Sequence, residues 1–293
     1  MITIDHVSKR FGERQALDDV SFEIGDGRLT GFVGANGSGK TTTMRVILGV
    51  LSADEGEVLR DGEPLGPEDR RRFGYMPEER GLYPKMKVAE QIEYLARLRG
   101  MSRADATRST AALLDRLELS ARAGDTIESL SLGNQQRAQI AAALVHEPEV
   151  LVLDEPFSGL DPVAVDSVVG VLQERAAQGV PVLFSSHQLD LVERLCEDLV
   201  IIANGRIRGT GTAESLRSLN SSPSWELTTD GDAGWLREVA GVTVVEFAGG
   251  WARFEADDVV AQLVLHSAVE RGSVASFRPH RPPLSQIFTE VVK

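Results

Sequence analysis

One octapeptide constrains this chain more than any other stretch. Residues 34–41 read GANGSGKT, with Thr42 directly after. The run before it, RLTGFVG, reads as an apolar strand, and the run after it, TTMRVILGVL, carries apolar residues at helical spacing. Strand, glycine loop and helix make a βα unit, the building block of a parallel sheet flanked by helices. Glycines let the backbone bend until several N–H groups face one point, and the helix opening there adds its positive dipole end. Such a loop is built to hold an anion, a phosphate group above all. Lys40 brings a cation to it and Thr41 a hydroxyl oxygen, while Gly34, Asn36, Gly37, Ser38, Gly39 and Thr42 complete the cradle.

Two later apolar runs end in polar groups, as buried parallel strands do at a ligand-binding sheet edge. Residues 150–155 read VLVLDE, so Asp154 and Glu155 emerge at a strand terminus. Phosphate-ester hydrolysis needs a metal that neutralises charge and a group that positions or deprotonates water. Asp154 suits the first task, with Thr41, and Glu155 suits the second. The run 182–184 ends in Ser185, Ser186 and His187. His187 either reaches a terminal phosphate or caps the helix that follows. The other histidines show no metal-ligand spacing, so no zinc site is expected.

Composition narrows the partners. Lys+Arg number 31 and Asp+Glu 44, a net charge of −13, which opposes nucleic acid as the main partner. No apolar run approaches the roughly 18–20 residues of a spanning helix, and the N-terminus MITIDHVSKRFG lacks the apolar core of a signal peptide. A single cysteine, Cys196, sits among apolar residues and reads as a core position in a reducing compartment.

Between the phosphate loop and VLVLDE lies a helical insert at about 86–140. Val88, Ile92, Leu95 and Leu98 share helical spacing, and Ser102 reads as the N-cap of the next helix. The polar stretch SLNSSPS at 218–224 marks a composition break. It divides the chain into domains at 1–219 and 224–293. The second reads strand, helix (235–240), strand, Gly249–Gly250 turn, strand, helix (259–271), strand, then a helix from Leu284. That order predicts a ferredoxin-like split βαβ domain.

Taken in order, five segments resemble the ATP-binding subunit of ABC transporters. GANGSGKTT is similar to its Walker A loop, LSLGNQQR (130–137) to its signature motif, and VLVLDEP to its Walker B. SGLDP (158–162) is similar to its D-loop, and SSH to its switch histidine at His187. The resemblance implies a P-loop NTPase fold of ABC type, ATP and Mg²⁺ as ligands, and ATP hydrolysis. It implies a head-to-tail dimer, homo- or heteromeric, in which Ser131, Gly133 and Asn134 of one chain meet the γ-phosphate held by the other. Asp161 of the D-loop joins that site, Glu155 and His187 are the catalytic pair, and Phe11 stacks on adenine where the family more often has Tyr. Glu78 stands where a Gln touches the metal, and Leu132 and Asn134 replace the Gly and Gln of the signature. PEERGLYPKM (77–86), GNQQ and PPLSQIFTEV (282–291) resemble an exporter subgroup with a separate integral-membrane permease, linked to drug, antibiotic or sodium efflux. Tyr83 and Met86 are the apolar residues expected to face that permease. The chain then works in the cytoplasm, at the inner face of the cell membrane. A soluble ABC ATPase acting on DNA or the ribosome is the alternative, disfavoured by the acidic charge and the single phosphate loop.

Overall fold

The computed structural model describes residues 1–79, 81–220, 223–281, 283–286 and 288. Its strands are β1 (Ile2–Phe11), β2 (Arg14–Ile24), β3 (Leu29–Val33), β4 (Glu55–Arg60), β5 (Glu63–Pro64), β6 (Phe73–Met76), β7 (Val150–Leu153), β8 (Val182–Ser186), β9 (Asp198–Ala203), β10 (Arg206–Gly211), β11 (Ser224–Thr229), β12 (Thr243–Ala248), β13 (Trp251–Glu255) and β14 (Val274–Pro279). Its α-helices are α1 (Lys40–Ile47), α2 (Pro67–Arg70), α3 (Val88–Leu98), α4 (Arg103–Arg116), α5 (Leu132–Leu144), α6 (Pro162–Ala177), α7 (Leu189–Leu195), α8 (Ala213–Asn220) and α9 (Asp258–Arg271). Two compact units result, Met1–Thr212 and Ala213–Lys293. Ser221 and Ser222, at the expected composition break, lie outside the described residues.

In the first unit a six-stranded sheet runs β10-β9-β3-β8-β7-β6, parallel except for β10 at one edge. β3, β7 and β8 are buried along their whole length, which is why none of them alternates apolar and polar residues and β7 reads as an unbroken apolar run. A second, antiparallel sheet runs β2-β1-β4-β5. One core joins the two: Ile2, Val20 and Val58 from the antiparallel sheet meet Phe32, Val152 and Leu183 from the parallel one, with Met44 and Ile47 of α1 among them. Each such side chain contributes about 1.5–3 kcal/mol on burial.

Parallel register decides what stands together at the C-terminal edge. Val33 of β3 pairs with Ser186 of β8, and Leu153 of β7 pairs with Phe184. Gly34 therefore follows β3 where His187 follows β8, and Asp154 comes level with Ser185. Three segments far apart in sequence converge because their strands are neighbours.

The helical insert is α3, α4 and α5. The Ser102 hydroxyl accepts from the Asp105 N–H at 3.1 Å, the capping expected for α4. The apolar stripe of α3 differs from the expected one. Val88, Ile92 and Ala96 are buried, with Gln91, whereas Leu98 is 64% exposed. Leu98 shares the side of the buried Gln91, seven residues earlier, but stands at the last residue of the helix, where the buried stripe has ended. Met86 is half-buried rather than exposed, while Tyr83 is 60% exposed.

The second unit holds an antiparallel sheet in the order β12-β13-β11-β14, with α9 against its inner face through Val264 and Ala268. Numbered within the unit the order is 2-3-1-4, the ferredoxin-like arrangement. Leu227, Ala252 and Phe254 fill its core, and Trp225 stacks on Phe277 at 5.1 Å. The helix expected at 235–240 is instead a 3₁₀ turn, Gly234–Glu238. Five residues are too few to repay helix nucleation. Burial of Leu236 and the hydrogen bond from Gly234 N–H to Asp232 Oδ1 at 2.6 Å hold the tighter turn. Of the last expected helix, Leu284 is buried; Ile287 and residues 289–293 lie outside the described residues. Among the described residues no helix is long and apolar enough to cross a membrane.

Candidate functional site

The phosphate loop leaves β3 and enters α1 through Gly39, whose φ of +115° favours glycine. A Cβ there would stand 2.8 Å from Leu17 Cδ2, and one at Gly34 would stand 2.4 Å from Ser38 Oγ and 2.6 Å from the Ile202 carbonyl oxygen. Both glycines are thus required by space as well as by conformation or close approach. Lys40 is buried, and its Nζ donates to the carbonyls of Gly34 at 2.6 Å and Ala35 at 3.2 Å. The Ser38 hydroxyl is buried without a partner among the described residues.

The loop forms the floor of a cleft of about 510 Å³. Asn36, Gly37, Gly39, Lys40, Thr41 and Thr42 line it, with Phe11, Arg14 and Ala16 from the β1–β2 hairpin and Glu78, Asp154 and Glu155 opposite. Phe11 is 51% exposed, open to a planar ligand.

A chain of hydrogen bonds ties the polar end of the cleft together. Thr41 Oγ1 donates to Asp154 Oδ2 at 2.8 Å, and Ser185 Oγ donates to Asp154 Oδ1 at 2.5 Å. Ser185 Oγ in turn accepts from the Glu155 N–H at 2.8 Å. His187 Nδ1 lies 2.9 Å from Glu155 Oε2. Thr41 and Asp154 present hard oxygens side by side, the donor type that Mg²⁺ prefers. Among the described residues no three of His, Cys, Asp or Glu gather as a metal cage, so such an ion would draw its other ligands from phosphate and water.

Glu155 carries a φ of +53°, a left-handed conformation costing a non-glycine residue about 1–3 kcal/mol. Two side chains pin it. Ser185 holds its N–H, and Gln136 Nε2 of α5 donates to the carbonyls of Glu155 at 2.9 Å and Pro156 at 3.1 Å. Gln139, one turn further along α5, donates to the carbonyls of Pro77 at 2.6 Å and Glu79 at 3.2 Å, on either side of Glu78. Sequence reading missed Gln136, Gln139 and Ser185 as site residues. The available signal was the run of glutamines, Gln135, Gln136 and Gln139, leading into the apolar helix AQIAAALV, since a glutamine buried on such a helix demands a partner.

The expected site residues divide into two groups. Asn36, Gly37, Gly39, Lys40, Thr41, Thr42, Phe11, Glu78, Asp154 and Glu155 meet in the cleft, and His187 joins through Glu155, while Gly34 and Ser38 shape the loop without lining it. Ser131, Gly133, Asn134 and Asp161 do not line it. α5 begins at Leu132, so Ser131 is its N-cap, accepting from Asn134 N–H at 3.4 Å, and Gly133 lies within the first turn. Leu132 is 58% exposed, and the Asn134 amide oxygen accepts from Arg137 at 2.5 Å. Asp161 caps α6, accepting from Ala164 N–H at 2.8 Å. Cys196 is half-buried, and burial pushes its thiol pKa well above the ordinary range, as suits an inert position.

Comparison with known proteins shows the family. Residues 17–158 match the family described as ABC transporter, and residues 211–292 match that described as ATP-binding protein DrrA1-3-like, C-terminal domain. The uncharacterized ABC transporter ATP-binding protein YhaQ of Bacillus subtilis (strain 168) is 39% identical over 293 residues, covering 100% of this chain and 98% of the relative. The linearmycin resistance ATP-binding protein LnrL of the same organism is 32% identical over 235 residues, 79% of this chain and 76% of LnrL. A solved dimeric bacterial ABC transporter cassette superposes with a TM-score of 0.66 at 25% identity, covering 72% of this chain and 98% of that one.

Proposed function

The chain belongs to the ABC transporter ATP-binding family, an ATP-binding and ATP-hydrolysing subunit of α/β P-loop fold, and from that premise we propose that it powers an exporter through a separate membrane permease. Two relatives support export: LnrL is named for linearmycin resistance, and a protein of Paraburkholderia xenovorans (strain LB400), 36% identical over 218 residues, is named for Nod factor export. The permease supplies the membrane crossing, and this chain sits on its cytoplasmic side. We take the ATPase domain as 1–219 and the accessory domain as 224–293.

The observation that carries the chemistry is the hydrogen-bonded chain from Thr41 through Asp154 and Ser185 to Glu155, closed by His187. ATP binds with its phosphates on the loop and its base over Phe11. Lys40 is already aimed along the loop and exchanges carbonyl partners for phosphate oxygens. Thr41 and Asp154 would hold Mg²⁺, with Glu78 in reach of its waters, and the ion would supply neutralisation of phosphate charge. The Glu155 carboxylate positions and deprotonates water, and His187 orients that carboxylate and reaches the γ-phosphate. Ser131, Gly133, Asn134 and Asp161 lie off their own cleft and serve the mate's nucleotide in a sandwich dimer. A helix N-terminus such as that of α5 suits an anion brought by a partner.

Glu155→Gln tests this. The variant is expected to bind ATP as the wild type does, to lose turnover, and to accumulate as a dimer in size-exclusion chromatography with ATP. Wild-type turnover would remove Glu155 from the mechanism. Co-purification with a multi-span membrane protein tests the transport role.

A further inference from the structure

We infer that Arg14 is a second cation of the nucleotide cleft and binds the phosphate chain of the nucleotide, an assignment that rests on the nucleotide-binding reading above. Arg14 opens β2 directly opposite Phe11, across the turn made by Gly12 and Glu13. The hairpin therefore delivers an aromatic ring and a guanidinium to the cleft as a pair. The guanidinium reaches over the loop: Arg14 Nη2 lies 3.7 Å from the point where a Cβ on Gly37 would stand. Gly37, at φ +77°, carries no side chain to block that approach.

Neighbouring cations are committed elsewhere. Lys9 pairs with Asp54 at 2.6 Å and, though its Nζ stands 5.9 Å from the centre of the Phe11 ring, does not line the cleft; Arg10 donates to Gln15. The Arg14 side chain is exposed and, among the described residues, has no hydrogen-bond or ion-pair partner. Charge gives the reason to keep it there. Three carboxylates line the cleft, Glu78, Asp154 and Glu155, against two cations, Lys40 and Arg14. A polyanionic substrate entering a chain of net charge −13 meets a repulsive field that Lys40 alone does not balance. A guanidinium fork also matches phosphate oxygens better than an ammonium does.

The test is titration calorimetry of the full chain with ATP, GTP and 2′,3′-dideoxy-ATP. Arg14→Ala is expected to lower affinity about tenfold for all three, less at high salt, and Arg14→Lys to recover part of the loss. Loss confined to one base would put Arg14 on the base, and loss absent with the dideoxy nucleotide would put it on the ribose. Either outcome, or unchanged binding of all three, overturns the assignment while leaving the cleft reading intact. A wild-type chain that binds no ATP overturns both.

Discussion

Gln136→Ala removes the grip of α5 on the backbone at Glu155. Gln136 is 4% exposed and makes two hydrogen bonds, at 2.9 Å to the Glu155 carbonyl and 3.1 Å to the Pro156 carbonyl. Each is worth about 1 kcal/mol net, and a buried carbonyl left without a donor costs about 1–3 kcal/mol. The Glu155 carbonyl keeps a second donor, the Ser158 N–H at 3.2 Å; the Pro156 carbonyl loses the Gln136 amide. The clamp is therefore worth about 3 kcal/mol, similar to the cost of the left-handed φ of Glu155. Without it Glu155 relaxes toward ordinary backbone angles and its carboxylate leaves its place in the cleft. If about 2–3 kcal/mol of that clamp acts on the reactive geometry, turnover falls about 30- to 160-fold. ATP affinity stays within about twofold, because Gln136 does not line the cleft. The assays are phosphate release, ATP titration calorimetry and chemical denaturation. Gln139→Ala is the control: the same helix and equal burial, but with bonds to Pro77 and Glu79, so a similar stability loss with a smaller loss of turnover. Wild-type turnover in Gln136→Ala, alongside the expected stability loss, would refute the reasoning.

Other expectations follow from single contacts. Gly39→Ala places a Cβ 2.8 Å from Leu17 Cδ2 at φ +115°, so nucleotide binding, read by calorimetry, falls by more than about tenfold. Ser185→Ala leaves Asp154 and the Glu155 N–H each short of a bond; turnover is expected to fall about tenfold or more, measured at saturating ATP and Mg²⁺. His146 donates toward the Phe73 carbonyl at 3.2 Å, and burial pushes its pKa down from 6.5 to about 4. The unfolded chain takes up that proton first, so stability falls as pH drops from 6.5 to about 4. His146→Gln keeps a donor without the titration, and denaturation midpoints across that window should show a smaller acid loss.

Much of this protein was written in the order of its residues. GANGSGKT fixed a phosphate loop because only glycines satisfy both its dihedrals and its clearance from Leu17, Ser38 and Ile202. The apolar runs ending in Asp154 and His187 declared parallel strands because burial on both faces leaves no room for alternation. The second unit was legible as a ferredoxin-like sheet, apart from one helix too short to nucleate. Helical faces were less legible: Leu98 fitted an apolar spacing yet points to solvent, while Gln91 and Gln136 are buried.

Local pattern could not say which strands are neighbours. The tertiary structure decided that, by placing β8 between β3 and β7. That adjacency turns Ser185 into the link between Asp154 and Glu155 and brings His187 onto the Glu155 carboxylate. The pairing of β6 with β7 likewise lets Gln136 and Gln139 of α5 reach carbonyls beyond the ends of both strands. The chemical groups are a property of the sequence, since each motif carries its own donors and charges. Their convergence is a property of the fold, since hydrogen-bond reach of about 3 Å is met only when the sheet register brings distant residues level.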